Sequence, residues 1–342
     1  MEERNEVVEV SYSFAKLRKK IMYRFIDFLI FVFLAFGLFL SVREIVVNTD
    51  GYKKIRAEMD FIMLNSGLYV NEGESLTGVI SYYEKQSSMD VRNRVQNVQN
   101  AIDKFIHYVG LEAGEETKAK VQNKYDSERL DGNKWNDGQG HPMFVKDGEN
   151  IVINIDPDSN YPYKSYLRYF EEFYKPFVNE VCQGYLVEYV PAYSSDLNQI
   201  TIFVFFLEIP IGVFLAAIMT FAVPTFIFRR GRCTIGMLCY KVGRVDSTLL
   251  SVKTGRNIAF CSIKIFAIVI LSFVTLGAPL FVSFTMMVVT KGKQSFVDYV
   301  LGTYEIDTSK NKIYLSKEEA KIDALDTHKE PISFEAVSRL DK

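Results

Sequence analysis

Three stretches of this 342-residue chain are too apolar and too long to be ordinary surface, and they fix its class before any motif is considered. Phe28 to Val42 carries no charge, Ile200 to Phe228 carries only Glu208, and Ile265 to Thr290 carries none. A bilayer core of about 30 Å takes about 20 residues of helix to cross. The first run reaches that length if it starts near Phe25, which puts Asp27 at the boundary. The second is longer than required, so it tilts or bends, and Pro210 and Pro224 are the points where it would do so. The sequence therefore predicts an α-helical transmembrane core of 3–4 membrane segments: 25–47, 199–228, and 257–290 as one helix or as a short hairpin broken at Gly277-Ala278-Pro279.

Charge sets the orientation. The formal net charge of −2 is uninformative because the signs are sorted along the chain. Lys16, Arg18, Lys19, Lys20 and Arg24 precede the first segment; Arg229, Arg230, Arg232, Lys241, Arg244, Lys253 and Arg256 follow the second. Positive residues stay in the cytoplasm. The arm 1–24 and the basic loop 229–256 are therefore predicted inside, and 48–198 outside, of a cytoplasmic membrane. Contact with lipid explains the basic loop without nucleic acid, which is not expected as a partner. No small-x-small site follows Leu40, so the first segment reads as an uncleaved anchor. For 257–290, charge favours the hairpin, which keeps the tail 291–342 inside. Length opposes it, because each half falls short of a span. The hairpin is preferred.

The outer region is long enough to be a domain. Val91, Val95, Val98, Ile102, Phe105, Ile106 and Val109 form one helical stripe. Residues 143–155 read as strand, Asp147-Gly148 turn, strand. The run 163–189 is helical in pattern, with Pro176 as a kink or break. The expectation is an inserted extracytoplasmic α+β domain, with 111–141 undetermined. Its aromatic run includes Tyr163, Tyr166, Tyr169, Phe170, Phe173 and Tyr174, a candidate partner-binding face. Packing against the 91–109 stripe explains the same residues and is preferred.

Charges at the membrane edge are the strongest functional signal. Arg24 and Asp27 are one helical turn apart, and Asp298 follows the third apolar stretch. Such charges are expensive unless paired or wetted. They form either a structural clasp, in which Arg24 bridges both aspartates, or an ion or proton site; the clasp is preferred. Glu208 lies inside the second segment, two residues before Pro210, and reads equally as a proton-carrying group or as a neutral glutamate in a bent helix.

Enzyme signatures are missing. There is no His-Glu-x-x-His and no glycine-rich phosphate loop before a lysine. Asp156-x-Asp158-x-Asn160 begins like a calcium loop, but Tyr161 and Leu167 occupy the glycine and closing-acid positions. No CxxC occurs among the four cysteines, so no zinc or redox site is expected. Neither enzymatic activity nor a cofactor nor a metal is predicted.

Together these landmarks resemble the RDD family of bacterial membrane proteins, named for an arginine and two aspartates near their spans. Arg24-Phe25-Ile26-Asp27 matches its opening pattern. Thr234-Ile235-Gly236 matches its Thr-x-Gly stretch, with Met237 where lysine is usual. Arg256 matches the arginine at the next helix start. Phe296-Val297-Asp298 followed by Leu301-Gly302-Thr303 resembles its closing pattern, with Val297 where histidine is usual. The likeness covers about 20–47 and 200–307, and leaves 48–198 as an insertion. It implies that Thr234, Gly236, Arg256, Gly302 and Thr303 form a membrane-surface motif around the charges. For function it implies transport in some members, including cation/proton exchange.

Two roles follow as expectations. In the first, the chain is a membrane anchor or assembly component whose outer domain binds an envelope or secretion protein. In the alternative, the core moves a small cation or solute. The long insertion tips the reading towards the first. Partners are thus the lipid bilayer, a membrane or envelope protein, and a small cation in the alternative; a homo-oligomer stays open.

Overall fold

A computed structural model describes residues 13–73, 75–136, 141–154, 166–290 and 292–326. The chain divides into two compact units. One is discontinuous, Met1–Val46 with Val204–Lys342; the other is the inserted stretch Val47–Phe203. The fold is mainly helical, with three two-stranded antiparallel sheets among the described residues. Leu17–Val47 and Pro191–Ile227 are long and apolar enough to cross a membrane.

In the discontinuous unit, the long helices stay continuous across their prolines by widening. A π-helical turn at Phe203–Glu208 precedes Pro210, and another at Ile218–Ala222 precedes Pro224. A wide turn absorbs the hydrogen bond that proline cannot donate, so bending costs little. Gly212 lets the helices close up: a Cβ there would stand 3.1 Å from the backbone of Phe39.

The third apolar stretch folds as two helical pieces. One begins at Thr254 and runs through a π-helical turn at Lys264–Ile270 to Val274; the other is Ala278–Val289, with Pro279 in its first turn. Leu276 (φ 50°) and Gly277 (φ 90°) make the left-handed corner between them. The first piece is longer than the sequence suggests, because the helix already starts within the basic loop.

The polar segments of this unit knit together. Val242–Val245 pairs antiparallel with Tyr304–Asp307, in the register Val242↔Asp307. Phe14 bridges to Ile306, and the Ala15 N–H donates to the Glu305 carbonyl at 2.9 Å. The N-terminal arm, the basic loop and the C-terminal segment thus share one small sheet.

The inserted unit is built on the helix Val91–Ala113, whose stripe faces inward. Val98, Ile102, Phe105 and Val109 are fully buried. Asp90 caps the helix, accepting from the Arg92 N–H at 2.9 Å. Gly114 (φ 91°) ends it and starts Glu115–Arg129, which returns against it. Phe144–Asp147 and Asn150–Ile153 form the hairpin expected at the Asp147-Gly148 turn, with Gly148 at φ 63°. Around Pro176 the chain bends without breaking, through π-helical turns at Tyr169–Tyr174 and Phe177–Cys182.

The aromatic run belongs to this core. Tyr169, Phe170, Phe173 and Tyr174 are buried; Phe144 packs 4.8 Å from Phe173 and 5.2 Å from Tyr169, centroid to centroid. Tyr166 is half-buried against the same cluster, and Tyr163 lies outside the described residues, as does the Asp156-x-Asp158-x-Asn160 segment. The buried four present no face to a partner.

Candidate functional site

Asp27 points from the first long helix at the start of a short one. Its Oδ2 accepts from Thr234 Oγ1 at 2.6 Å, and its Oδ1 from the Gly236 N–H at 2.8 Å. Thr234 is also the cap of Ile235–Cys239, accepting from the Met237 N–H. Only glycine fits at 236, because a Cβ would fall 2.3 Å from the Tyr23 carbonyl oxygen and 2.8 Å from Asp27 Oδ1. Thr-x-Gly is therefore a receptor for one carboxylate. Two neutral donors satisfy it with no cation in contact.

Arg24 reaches elsewhere. Its Nη2 stands 2.6 Å from Glu305 Oε1 and 3.8 Å from Asp298 Oδ2, and its Nη1 meets the Met287 sulfur. It makes no ion pair with Asp27, although the two are one turn apart. The expected bridge from Arg24 to both aspartates therefore takes another form: the arginine's close partner is Glu305, because the strand Tyr304–Asp307 brings a carboxylate nearer than either aspartate. Glu305 also accepts from the Tyr23 hydroxyl, and its Oε2 lies 3.4 Å from Lys20 Nζ. Burial pushes the Glu305 carboxyl up, but Arg24, Lys20 and the Tyr23 hydroxyl outweigh it and bring it down to about 2.

Asp298 is held within its own loop. Thr303 Oγ1 donates to its Oδ1 at 2.8 Å, and the Ser295 hydroxyl, the cap of Phe296–Leu301, donates to Oδ2. Gly302 (φ 59°) makes the left-handed end of that helix, which turns Thr303 back onto Asp298. Burial and the neighbouring Glu305 raise its carboxyl, against Arg244 and Arg24. Arg244 Nε is 3.8 Å from Asp298 Oδ1, and the guanidinium lies over the Phe260 ring, 3.4 Å from its centroid.

These groups form one end of a cavity of about 590 Å³. Tyr23, Arg24, Asp27, Arg244, Asp298 and Glu305 line it, joined by Lys264 at the start of its π-helical turn. The remaining wall is mostly apolar, with Ser272, Ser283 and Ser295 the exceptions, and Phe28, Val32, Leu280 and Phe284 combine cavity-lining positions with solvent-exposed side chains. The cavity therefore has a charged floor and an apolar mouth between Leu17–Val47 and Ala278–Val289. Its volume is within the range of about 300–1,000 Å³ typical of small-molecule sites. Met237 and Val297 both line it.

Other expected residues lie apart from it. Glu208 is buried, with Oε2 3.4 Å from Arg43 Nη1, while its Oε1 has no hydrogen-bond partner. It does not join Asp27 and Asp298 at the cavity. Arg256 pairs with Asp246 at 3.5 Å in the loop. Among the described residues, no three His, Cys, Asp or Glu side chains gather as metal ligands, and the four cysteines are free.

Lys20, Tyr23, Arg244, Lys264 and Glu305 were not among the residues expected at the site. Lys264 had a usable signal, since it is a lone charge inside the apolar stretch 257–290, as Glu208 is in the second. Glu305 and Arg244 had only a weak one: each sits in a four-residue segment of alternating character whose partner strand is some sixty residues away.

No protein-family model, curated protein or solved structure matches the chain.

Proposed function

We propose that the chain is a multi-pass bacterial membrane protein of the RDD type, and that its discontinuous unit is a solute-handling core rather than a bare anchor. The cavity carries this reading: a volume of about 590 Å³ with an apolar mouth and a charged floor exceeds what a clasp needs. A purely structural ion pair would close on itself and leave no space. In this reading Arg24, Glu305, Lys20 and Tyr23 fasten the first helix to the last strand, and Arg24 and Glu305 also face the solute. Because the N-terminal arm, basic loop and tail share one sheet, all three lie on one side of the membrane, which makes 254–289 a hairpin with both ends inside. The basic character of arm and loop makes that side the cytoplasm.

Reconstituted vesicles test the reading. Purified full-length chain is expected to carry a small cation or solute across the vesicle wall, and Asp298→Asn, recovered folded, is expected to change that flux. If Asp298→Asn fails to accumulate and the parent moves nothing, the charges are a clasp only.

The anchor-and-assembly role keeps one observation in its favour. Phe61 is 69% exposed on the inserted unit, beside a cleft lined by Lys54, Ala57, Glu58, Ile62, Ala192 and Asp196. A pulldown in mild detergent, with and without 48–198, decides it: a partner lost on deletion supports assembly, whereas flux that survives deletion supports the core.

A further inference from the structure

The charged groups of the cavity floor are unevenly partnered. In their ionised forms Arg24, Arg244 and Lys264 oppose Asp27, Asp298 and Glu305 there, and Lys20 stands beside Glu305 without lining the cavity. The carboxylates hold most of the partners. Asp27 is satisfied by Thr234 and Gly236; Glu305 Oε1 accepts from Arg24 and Tyr23, while its Oε2 has Lys20 Nζ at 3.4 Å and no hydrogen bond. Asp298 is satisfied by Ser295 and Thr303.

What remains are two cationic groups without a full set of partners. Arg244 is 1% exposed; it donates through Nη2 to the Arg232 carbonyl at 3.2 Å, and its buried Nη1 has no hydrogen-bond partner. Lys264 Nζ has, among the described residues, no hydrogen bond and no carboxylate within 4.0 Å. Its contacts are aromatic, 4.2 Å from the Phe221 centroid and 5.7 Å from that of Phe260. Ring faces compensate an ammonium only in part, and Lys264 is half-buried, so its unpaired charge keeps a demand for an anionic partner. It sits, moreover, on a π-helical turn, a distortion common at functional sites.

We infer that the cavity binds an anionic amphiphile from the bilayer, its carboxylate or phosphate head between Lys264 Nζ and Arg244 Nη1 and its alkyl chain along Phe28, Val32, Leu280 and Phe284. Charge complementarity selects the head, since the two unsatisfied groups are donors only and cannot accept from a hydrated cation. The mouth selects the tail: Phe28 is 53% and Leu280 51% exposed, an entrance that a lipid chain crosses without losing its surroundings and a hydrated ion does not. The inference rests on the solute-handling reading and names its ligand class.

Equilibrium binding to the full-length chain in nanodiscs of zwitterionic lipid tests it, with radiolabelled oleate, oleyl alcohol and inorganic phosphate as probes. Oleate is expected to bind at least tenfold more tightly than either of the others. Lys264→Met is expected to lose at least tenfold in oleate affinity with its melting temperature held, and Lys264→Arg to keep most of it. Equal binding of oleate and oleyl alcohol, or an unchanged Lys264→Met, overturns the anionic head while leaving a solute-binding cavity. Phosphate binding as tightly as oleate overturns the tail. If none of the three binds and the vesicle flux is also absent, the solute-handling reading fails with it. If Lys264→Met does not fold, the ratio of oleate to oleyl alcohol in the parent chain decides alone.

Discussion

At residue 236, geometry leaves room for a hydrogen and nothing larger. Gly236→Ala would press a methyl group on the Tyr23 carbonyl oxygen and on Asp27, and is expected to cost about 1–3 kcal/mol, as overpacking does. Gly255→Ala is its control: nothing lies within 4 Å of a Cβ there, so Ala is expected to be neutral or mildly stabilising. Thermal melts of the two purified proteins should separate them by several degrees. Glu305 makes a second prediction. Its folded carboxyl titrates near 2, against an ordinary 4.5, so its contribution is fully present above pH 4.5 and is lost as pH falls towards 2. The melting temperature in non-ionic detergent should fall across that interval, and Glu305→Gln should flatten the fall. Part of the slope should survive, because Asp307 is also brought to about 2, burial notwithstanding, by Lys19 and Ser309.

Helices and strands were unequally legible. The 91–109 stripe reads plainly because seven apolar residues recur every three or four positions, and it folds as Val91–Ala113. Glu115–Arg129 is invisible by the same test: it buries only Val121 and Tyr125, too few to mark a period. The Asp147-Gly148 hairpin is local and was legible; the pairing of 242–245 with 304–307 is not local, and neither strand signals its partner. Ile102→Ala removes a fully buried side chain from the centre of the stripe and is expected to cost about 2–5 kcal/mol. Limited proteolysis of the full chain should then cut within 47–203 at lower denaturant concentration than in the parent. If cleavage is unchanged, the stripe does not organise that unit.

For the whole molecule, two of the three apolar runs form helices long and apolar enough to cross a membrane, and Arg24, Asp27 and Asp298 pointed to one region without disclosing who pairs with whom. The sequence could not reveal the cavity, because its floor is gathered from four segments far apart in the chain, around Asp27, Arg244, Lys264 and Asp298. The small sheet supports a topological prediction: reporters fused before residue 1 and after residue 342 should both be active on the cytoplasmic side. A periplasmic C-terminal reporter would require 254–289 to cross only once and would break the proposed arrangement. Timing follows from the same sheet. Arg24 and its counter-charge Glu305 are 281 positions apart, and ribosomes add about 5–20 residues per second. In the proposed membrane arrangement, the first helix therefore waits on the order of half a minute before Lys20 and Arg24 meet that counter-charge. A polypeptide released before Glu305 is made never gains that counter-charge.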